Sequence, residues 1–427
     1  MEKQNSNYRW IVFTAVLFTY FIIVSQRTAP GLISDQLMKD FHLPAATIGL
    51  LASIQFLAYA GLQIPIGILS DRLGPNYFLI GGTLLTGLGT IIYSTAANEA
   101  ILFAARLLVG IGDAAIWVNL VLILSGWFRA NEFVKLLGLA GMAGSLGFLL
   151  ATVPFSAFIA SFGWRPPFLT TGIILCLIAI LLYYVLVIKP NQIGLNKTKP
   201  QQSYLKKQPR QEKTLVMLRR IFSNRQAWAA FFCHFGAVGT YVGFIGSWAV
   251  PYGMHVYDMT RSAASQLVMI GLIGAIIGAP VTSWFSARID SLKRPYVLVH
   301  VVIFLSWTVI WLFGGNPPVF LLYILFFLIG YGNGGSTLTF AVVRQSFPIK
   351  EVGVVTGFAN TGGFISAVLL PSIFGKVLDH FHSFGASVGY HYGFIIPAVF
   401  ALIGLLGGMM IKENRREVNR PSEEAIV

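Results

Sequence analysis

The chain has 427 residues, 56% of them hydrophobic and only 11% charged, with a mean hydropathy of +0.72 and a net charge of +14. A soluble domain carries roughly 25% charged residues, so composition excludes a soluble globular protein, and it excludes a disordered chain, which needs low hydrophobicity. Strands of outer-membrane barrels alternate and rarely raise the average so far, which leaves an all-α polytopic membrane protein whose solvent is mostly lipid.

A bilayer core needs about 20 apolar residues per helix. Twelve runs meet that need, near 10–34, 45–69, 77–97, 100–124, 134–160, 167–188, 226–252, 262–286, 295–314, 318–344, 352–377 and 389–411. The first run is too long for a signal-peptide core and has no small-residue cleavage site, so it is expected to stay. Between the sixth and seventh runs the chain turns polar, basic and proline-punctuated. The sequence thus predicts an N-terminal six-helix bundle (1–188), a basic cytoplasmic linker (189–225), a C-terminal six-helix bundle (226–411) and a cytoplasmic tail (412–427).

With the N-terminus inside, 24 of the 30 Lys and Arg residues fall on inner segments and 4 on outer loops. This positive-inside bias predicts cytoplasmic termini in a plasma (inner) membrane. It makes the basic excess a matter of topology, not a nucleic-acid footprint. The remaining two, Arg27 and Arg106, fall inside spans. Cys176 and Cys233 sit in or beside apolar runs without ligand spacing, so neither a disulfide nor a metal or other cofactor is expected.

The halves repeat weakly. A shift of 219 aligns Phe128, Glu132, Gly138 and Gly144 with Phe347, Glu351, Gly357 and Gly363. A shift of 226 aligns Gly163 and Phe168 with Gly389 and Phe394. Two repeats around a central cavity are the usual build of a secondary transporter, with the site near the midplane.

Between the second and third runs stands Gly67-Ile-Leu-Ser-Asp71-Arg72-Leu-Gly74. It resembles the G-x-L-[SA]-D-R-x-G signature loop of the major facilitator superfamily, and Ser283-Trp-Phe-Ser-Ala287-Arg288 is a degraded second copy. Arg106-Leu-Leu-Val-Gly110-Ile-Gly112 resembles the family's R-x-x-x-G-x-G element. The resemblance implies two pseudo-symmetric six-helix bundles around a cavity, and a cytoplasmic gate latched by this loop. Gly67 allows close helix approach, and Asp71 and Arg72 are suited to charge-assisted bonds. Arg129, Glu132, Arg344 and Glu351 occupy matching inner loops and are the expected partners; solvated loop ends are the alternative. The fifth run carries Gly138, Gly141, Gly144 and Gly147 as a packing stripe, and lacks the Gly-Pro usual in the family's proton-driven drug exporters. Ser25-Gln-Arg27-Thr-Ala-Pro30 with Asp40-Phe41 is similar to the organic-anion/cation symporter branch.

A charge at span depth costs at least a few kcal/mol and is a functional hypothesis by default. Arg27 lies about 17 residues into the first run and Arg106 about six into the fourth, which puts both in the outer third of the core. The resemblance implies that both helices line the cavity, so the two arginines are candidates to bind an anionic substrate. Snorkelling competes for Arg27, and a structural role for Arg106. Asp113, the one acid well inside a span, is two turns deeper than Arg106. It is read either as a proton carrier or as a fixed salt-bridge partner of Arg27 or Arg106. His234 is read either as a second proton-coupling candidate or as a satisfied packing residue. Gln55, Gln63, Asn119 and Asn360 read as glue between helices. Asn333, within Tyr331-Gly-Asn-Gly-Gly335, is the amide expected to meet substrate. Tyr241 and Trp248, seven apart, suggest a stacking wall or an interfacial belt.

Together these features predict a monomeric secondary transporter working by alternating access, with proton-coupled uptake of a small organic anion. No G-x-x-x-x-G-K-[ST] loop occurs, so energy comes from a gradient. Efflux of an amphipathic compound is the alternative in the same class. A transporter-like solute sensor is disfavoured by the short tail, and an enzyme by the lack of an acid/base or metal constellation.

Overall fold

The computed structural model describes residues 2–29, 33–195 and 214–413, so residues 196–213 of the linker and 414–427 of the tail lie outside the described residues. Within them the chain is helical and contains no strand. Eleven stretches among these residues are long and apolar enough to cross a membrane. The second run of the sequence lies in a further helix of 29 residues, Ala45–Leu73.

The spans in chain order begin with Tyr8–Thr28, Ala45–Leu73, Pro75–Ser94 and Glu99–Trp127. The fifth runs from Ala130–Leu150 through a π-turn at Ala151–Phe155 into Ser156–Phe162, and the sixth is Arg165–Tyr183. The seventh starts as Arg225–His234, passes a π-turn at Phe235–Gly239, and continues as Thr240–Ile245 and Ala249–Tyr257. Arg261–Arg288 and Lys293–Leu312 follow. The tenth is split into Val319–Gly335 and Leu338–Ser346, the eleventh is Val352–His380, and the twelfth is Ala386–Gly393 with Ile395–Met410.

The interruptions have local causes. Pro154 has no N–H to give an α-helical ladder, and the fifth span accommodates it in the π-turn. The tenth span breaks at Ser336 and Thr337, directly after Gly332-Asn333-Gly334-Gly335, where helix propensity is weakest. Such breaks are tolerated at membrane depth where they are buried in protein or line a cavity.

Packing repeats with a shift of six spans. Span 1 packs on 5, span 2 on 4, span 3 on 4 and 6; correspondingly span 7 packs on 11, span 8 on 10, span 9 on 10 and 12. This is the pseudo-symmetry that the weak sequence repeat suggested. The halves join through spans 2 and 11 on one side and spans 5 and 8 on the other. Gly67 shows why: a Cβ there would fall 2.5 Å from the Gly353 carbonyl oxygen. Gly138 is its counterpart, where a Cβ would fall 2.7 Å from the Ser283 side chain. Of the predicted glycine stripe, Gly138 and Gly141 face the other half, while Gly144 and Gly147 face Tyr20 and Phe21 of span 1.

Both ends of the described chain lie on one face of the bundle, the terminal face. There Arg9 bonds Glu132 at 3.0 Å, and Glu413 accepts from Ser291 Oγ and the Lys293 N–H at 2.8 and 2.7 Å.

Candidate functional site

A cavity of about 250 Å³ lies between the halves. Spans 1, 2, 4 and 5 line it from one side, and spans 7, 8, 10 and 11 from the other. Arg27, His234, Tyr241 and Asn333 all reach its wall. Arg27 comes from the last turn of the first span.

The centre of the site is an ion pair. Arg27 Nε donates to Asp113 Oδ2 at 2.7 Å, and its Nη2 donates to Oδ1 at 2.8 Å. Asp113 is 1% exposed. Gln55 Nε2 donates to the same carboxylate at 3.4 Å. The guanidinium lies over the Tyr59 ring, 5.0 Å from its centroid. A bidentate pair in such surroundings is strong and geometrically fixed, and removing either partner leaves a buried charge uncompensated.

Tyr59 carries the network across to the other half. Its hydroxyl accepts from Asn360 Nδ2 at 2.9 Å, and the same amide donates to Gln63 Oε1 at 2.9 Å. Asn360 Oδ1 faces His234 Nε2 at 3.1 Å, so that nitrogen carries the proton and donates. His234 Nδ1 then faces Thr339 Oγ1 at 3.4 Å, and Thr339 meets the Tyr296 hydroxyl. Asn360 and Gln63, two of the amides read as glue, are therefore the link between the halves at the level of the cavity.

Two residues expected at the substrate are elsewhere. Arg106 does not line the cavity. It is 3% exposed, with its guanidinium 5.6 Å from the Tyr93 ring centroid, behind the wall and within the field of Asp113. Trp248 sits in the break between Thr240–Ile245 and Ala249–Tyr257. That break ends the seven-residue register with Tyr241. The indole donates to the Pro371 carbonyl at 3.2 Å and stacks on Phe374.

Sequence reasoning missed the aromatic walls. Tyr20 and Trp117 pack at 5.0 Å between ring centroids, and Tyr59 and Phe364 at 4.2 Å. A signal existed: Tyr20 is seven residues before Arg27 and Trp117 four after Asp113, each on the face of its charged residue.

At the terminal face the signature loop latches differently from expectation. Asp71 accepts from the backbone N–H groups of Gly353 and Val354, both at 2.9 Å. These are orphan donors at the start of the eleventh span, where a carboxylate also meets the positive end of the helix. Arg72 donates to Thr214 Oγ1 at 2.6 Å. The two acids among the expected partners are engaged elsewhere. Glu132 takes Arg9 and the Arg129 N–H, at 3.0 and 3.1 Å. Glu351 pairs with Arg220. Arg344 is half-buried in the last turn before Phe347.

The model of the Major Facilitator Superfamily matches residues 16–371 and again 293–426. The chain belongs to that superfamily. It is 24% identical over 400 residues to a probable L-galactonate transporter of Escherichia coli (strain K12), covering 90% of this chain and 87% of the relative. It is 25% identical over 405 residues to a gentisate transporter of Corynebacterium glutamicum, covering 92% and 86%. A crystal structure of the E. coli fucose:proton symporter superposes with a TM-score of 0.70 at 16% identity, covering 95% of this chain and all of that one. The protein is a membrane transporter and not an enzyme, built as two six-helix bundles around the cavity.

Proposed function

We propose that the protein couples uptake of a small organic anion to protons, and that the observation carrying this is the Arg27–Asp113 pair at the cavity wall. An anionic substrate needs the same guanidinium fork that Asp113 occupies. Protonating Asp113 removes the competing carboxylate and frees the fork. Proton and anion then bind together, and by linkage each raises the affinity for the other. The relatives support the substrate class, since one is a probable galactonate and one a gentisate transporter. The fucose:proton symporter supports the ion.

In this reading residues 1–188 and 226–411 are the two rocking bundles, joined by the linker 189–225, and the chain works as a monomer. The terminal face is cytoplasmic, as the inner excess of basic residues requires. The state described is then closed to the cytoplasm, latched by Gly67, Asp71 and Arg72, with Arg129, Glu132, Arg344 and Glu351 shaping the ends it closes on. Asn333 and Tyr241 contact the substrate body. His234 senses the state of the site through Asn360. Arg106 steadies Asp113 when the substrate takes Arg27, and Trp248 braces the seventh span.

The test is accumulation in proteoliposomes. Wild-type protein concentrates a labelled monocarboxylate against its gradient when the exterior is acidified. Asp113→Asn retains anion exchange and loses accumulation driven by the pH gradient. Unchanged accumulation by Asp113→Asn contradicts the assignment.

A further inference from the structure

The cavity carries more than a charge preference. We infer that the substrate is a monocarboxylate with a compact ring or similarly apolar body, rather than a polyhydroxy acid, a dicarboxylate or a sugar phosphate. This deepens the anion reading above and rests on it.

Charge comes first. Among the described lining residues, Arg27 and His234 are the two able to carry positive charge. His234 already donates through Nε2 to Asn360. One guanidinium fork therefore remains, and it matches one carboxylate. A second carboxylate or a phosphate dianion finds no further cation among these residues and would be desolvated without a partner.

Hydrogen-bonding capacity comes second. The Asn360 amide is spent on Tyr59, Gln63 and His234. The hydroxyls of Ser145 and Thr337 are donated to the Gly141 and Gly334 carbonyls of their own chain segments, at 3.2 Å each. Asn333, Ser336, Tyr20, Tyr241 and Trp117 are the other polar side chains of the wall, so a hydroxyl directed at the ring faces and away from them would be buried unpaired, at a cost of about tenfold in affinity.

Shape comes third. On one side Trp117 packs between Tyr20 and Phe340, at 5.0 and 5.1 Å. On the other Tyr59 packs on Phe364, with Phe56 stacked behind it at 6.1 Å. Arg27 lies over Tyr59 at 5.0 Å, so a carboxylate held by the fork directs the rest of the molecule between ring walls. The volume of about 250 Å³ falls below the range of drug-sized pockets. Aromatic walls of this kind favour an apolar ring by stacking and burial.

The experiment is a binding panel on the purified full-length chain in nanodiscs at mildly acidic pH, read by calorimetry and thermal shift. The probes are benzoate, gluconate, glucarate, glucose 6-phosphate and the neutral benzamide. The inference predicts that benzoate binds at least tenfold more tightly than any of the other four, and that Arg27→Gln abolishes its binding. It also predicts that Trp117→Leu or Phe364→Leu weakens benzoate about five- to tenfold while leaving acetate unchanged. The wild-type ranking stands without any variant. Gluconate, glucarate or glucose 6-phosphate binding as tightly as benzoate, and lost in Arg27→Gln, overturns the ring-body inference and leaves the anion reading intact. Benzamide binding as tightly as benzoate overturns the anion reading itself. Failure of benzoate to bind at millimolar concentration overturns the inference.

Discussion

Asp71 and Asp113 are two carboxylates held by different kinds of partner. Asp113 is held by a guanidinium, the group that the proposed anion would claim. Asp71 is held by two backbone N–H groups. Asp71→Asn turns one acceptor into a donor facing an N–H, so one charge-assisted bond is lost, about 1.5–3 kcal/mol. The equilibrium constant for the latched state then falls at least tenfold. Spin labels at the exposed positions Tyr77 and Lys350, one on each half, should gain a longer-distance component in that variant. A distance distribution identical to the parent's would mean that the loop is only a connector. The sequence showed both acids but not their partners. Position along a helix gives depth, so Asp113 was legible as the deep acid, while the choice between Arg27 and Arg106 depends on helix rotation and packing. The Asp71 partners were sought among side chains, and the structure answers with backbone, whose donors carry no residue signature.

Helices carry the next level. Spans 2 and 11 meet with glycine on glycine, and spans 5 and 8 meet at Gly138 and Ser283. The repeat keeps the shape on both sides but the carboxylate on one. Ala287 stands where the signature aspartate would be in the second copy, so the latch is one-sided. Gly67→Ala places a methyl against the Gly353 carbonyl and pries apart the contact that Asp71 bonds across. It should lengthen the Tyr77–Lys350 distance as Asp71→Asn does. Because both act on one contact, the double variant should shift the equilibrium by less than the sum of the two single effects. Full additivity would place the two residues in separate contacts. At this scale the spans were legible from apolar runs, and the tenth-span break was foreshadowed by its glycines. The break at Gly246–Trp248 was not. It carries one glycine and no proline, and the periodic reading that joined Tyr241 to Trp248 assumed a continuous helix.

For the whole molecule, composition and the Lys/Arg distribution defined the class and the spans before any motif was read. The signature loop added the family, and the family model confirms it across the chain. The cavity itself was only partly legible. Charged residues announce themselves in an apolar chain, but ring walls do not, because Phe, Tyr and Trp are abundant at every depth: 14% of the residues are aromatic. What the molecule does with the cavity turns on whether proton and anion meet at one pair of residues. The direct measurement is proton uptake on anion binding, by calorimetry with benzoate in buffers of different ionisation enthalpy. The wild-type chain should take up about one proton per anion bound, and Asp113→Asn none. Anion binding without proton uptake in the wild type, or with equal uptake in Asp113→Asn, would contradict coupling through the Arg27–Asp113 pair.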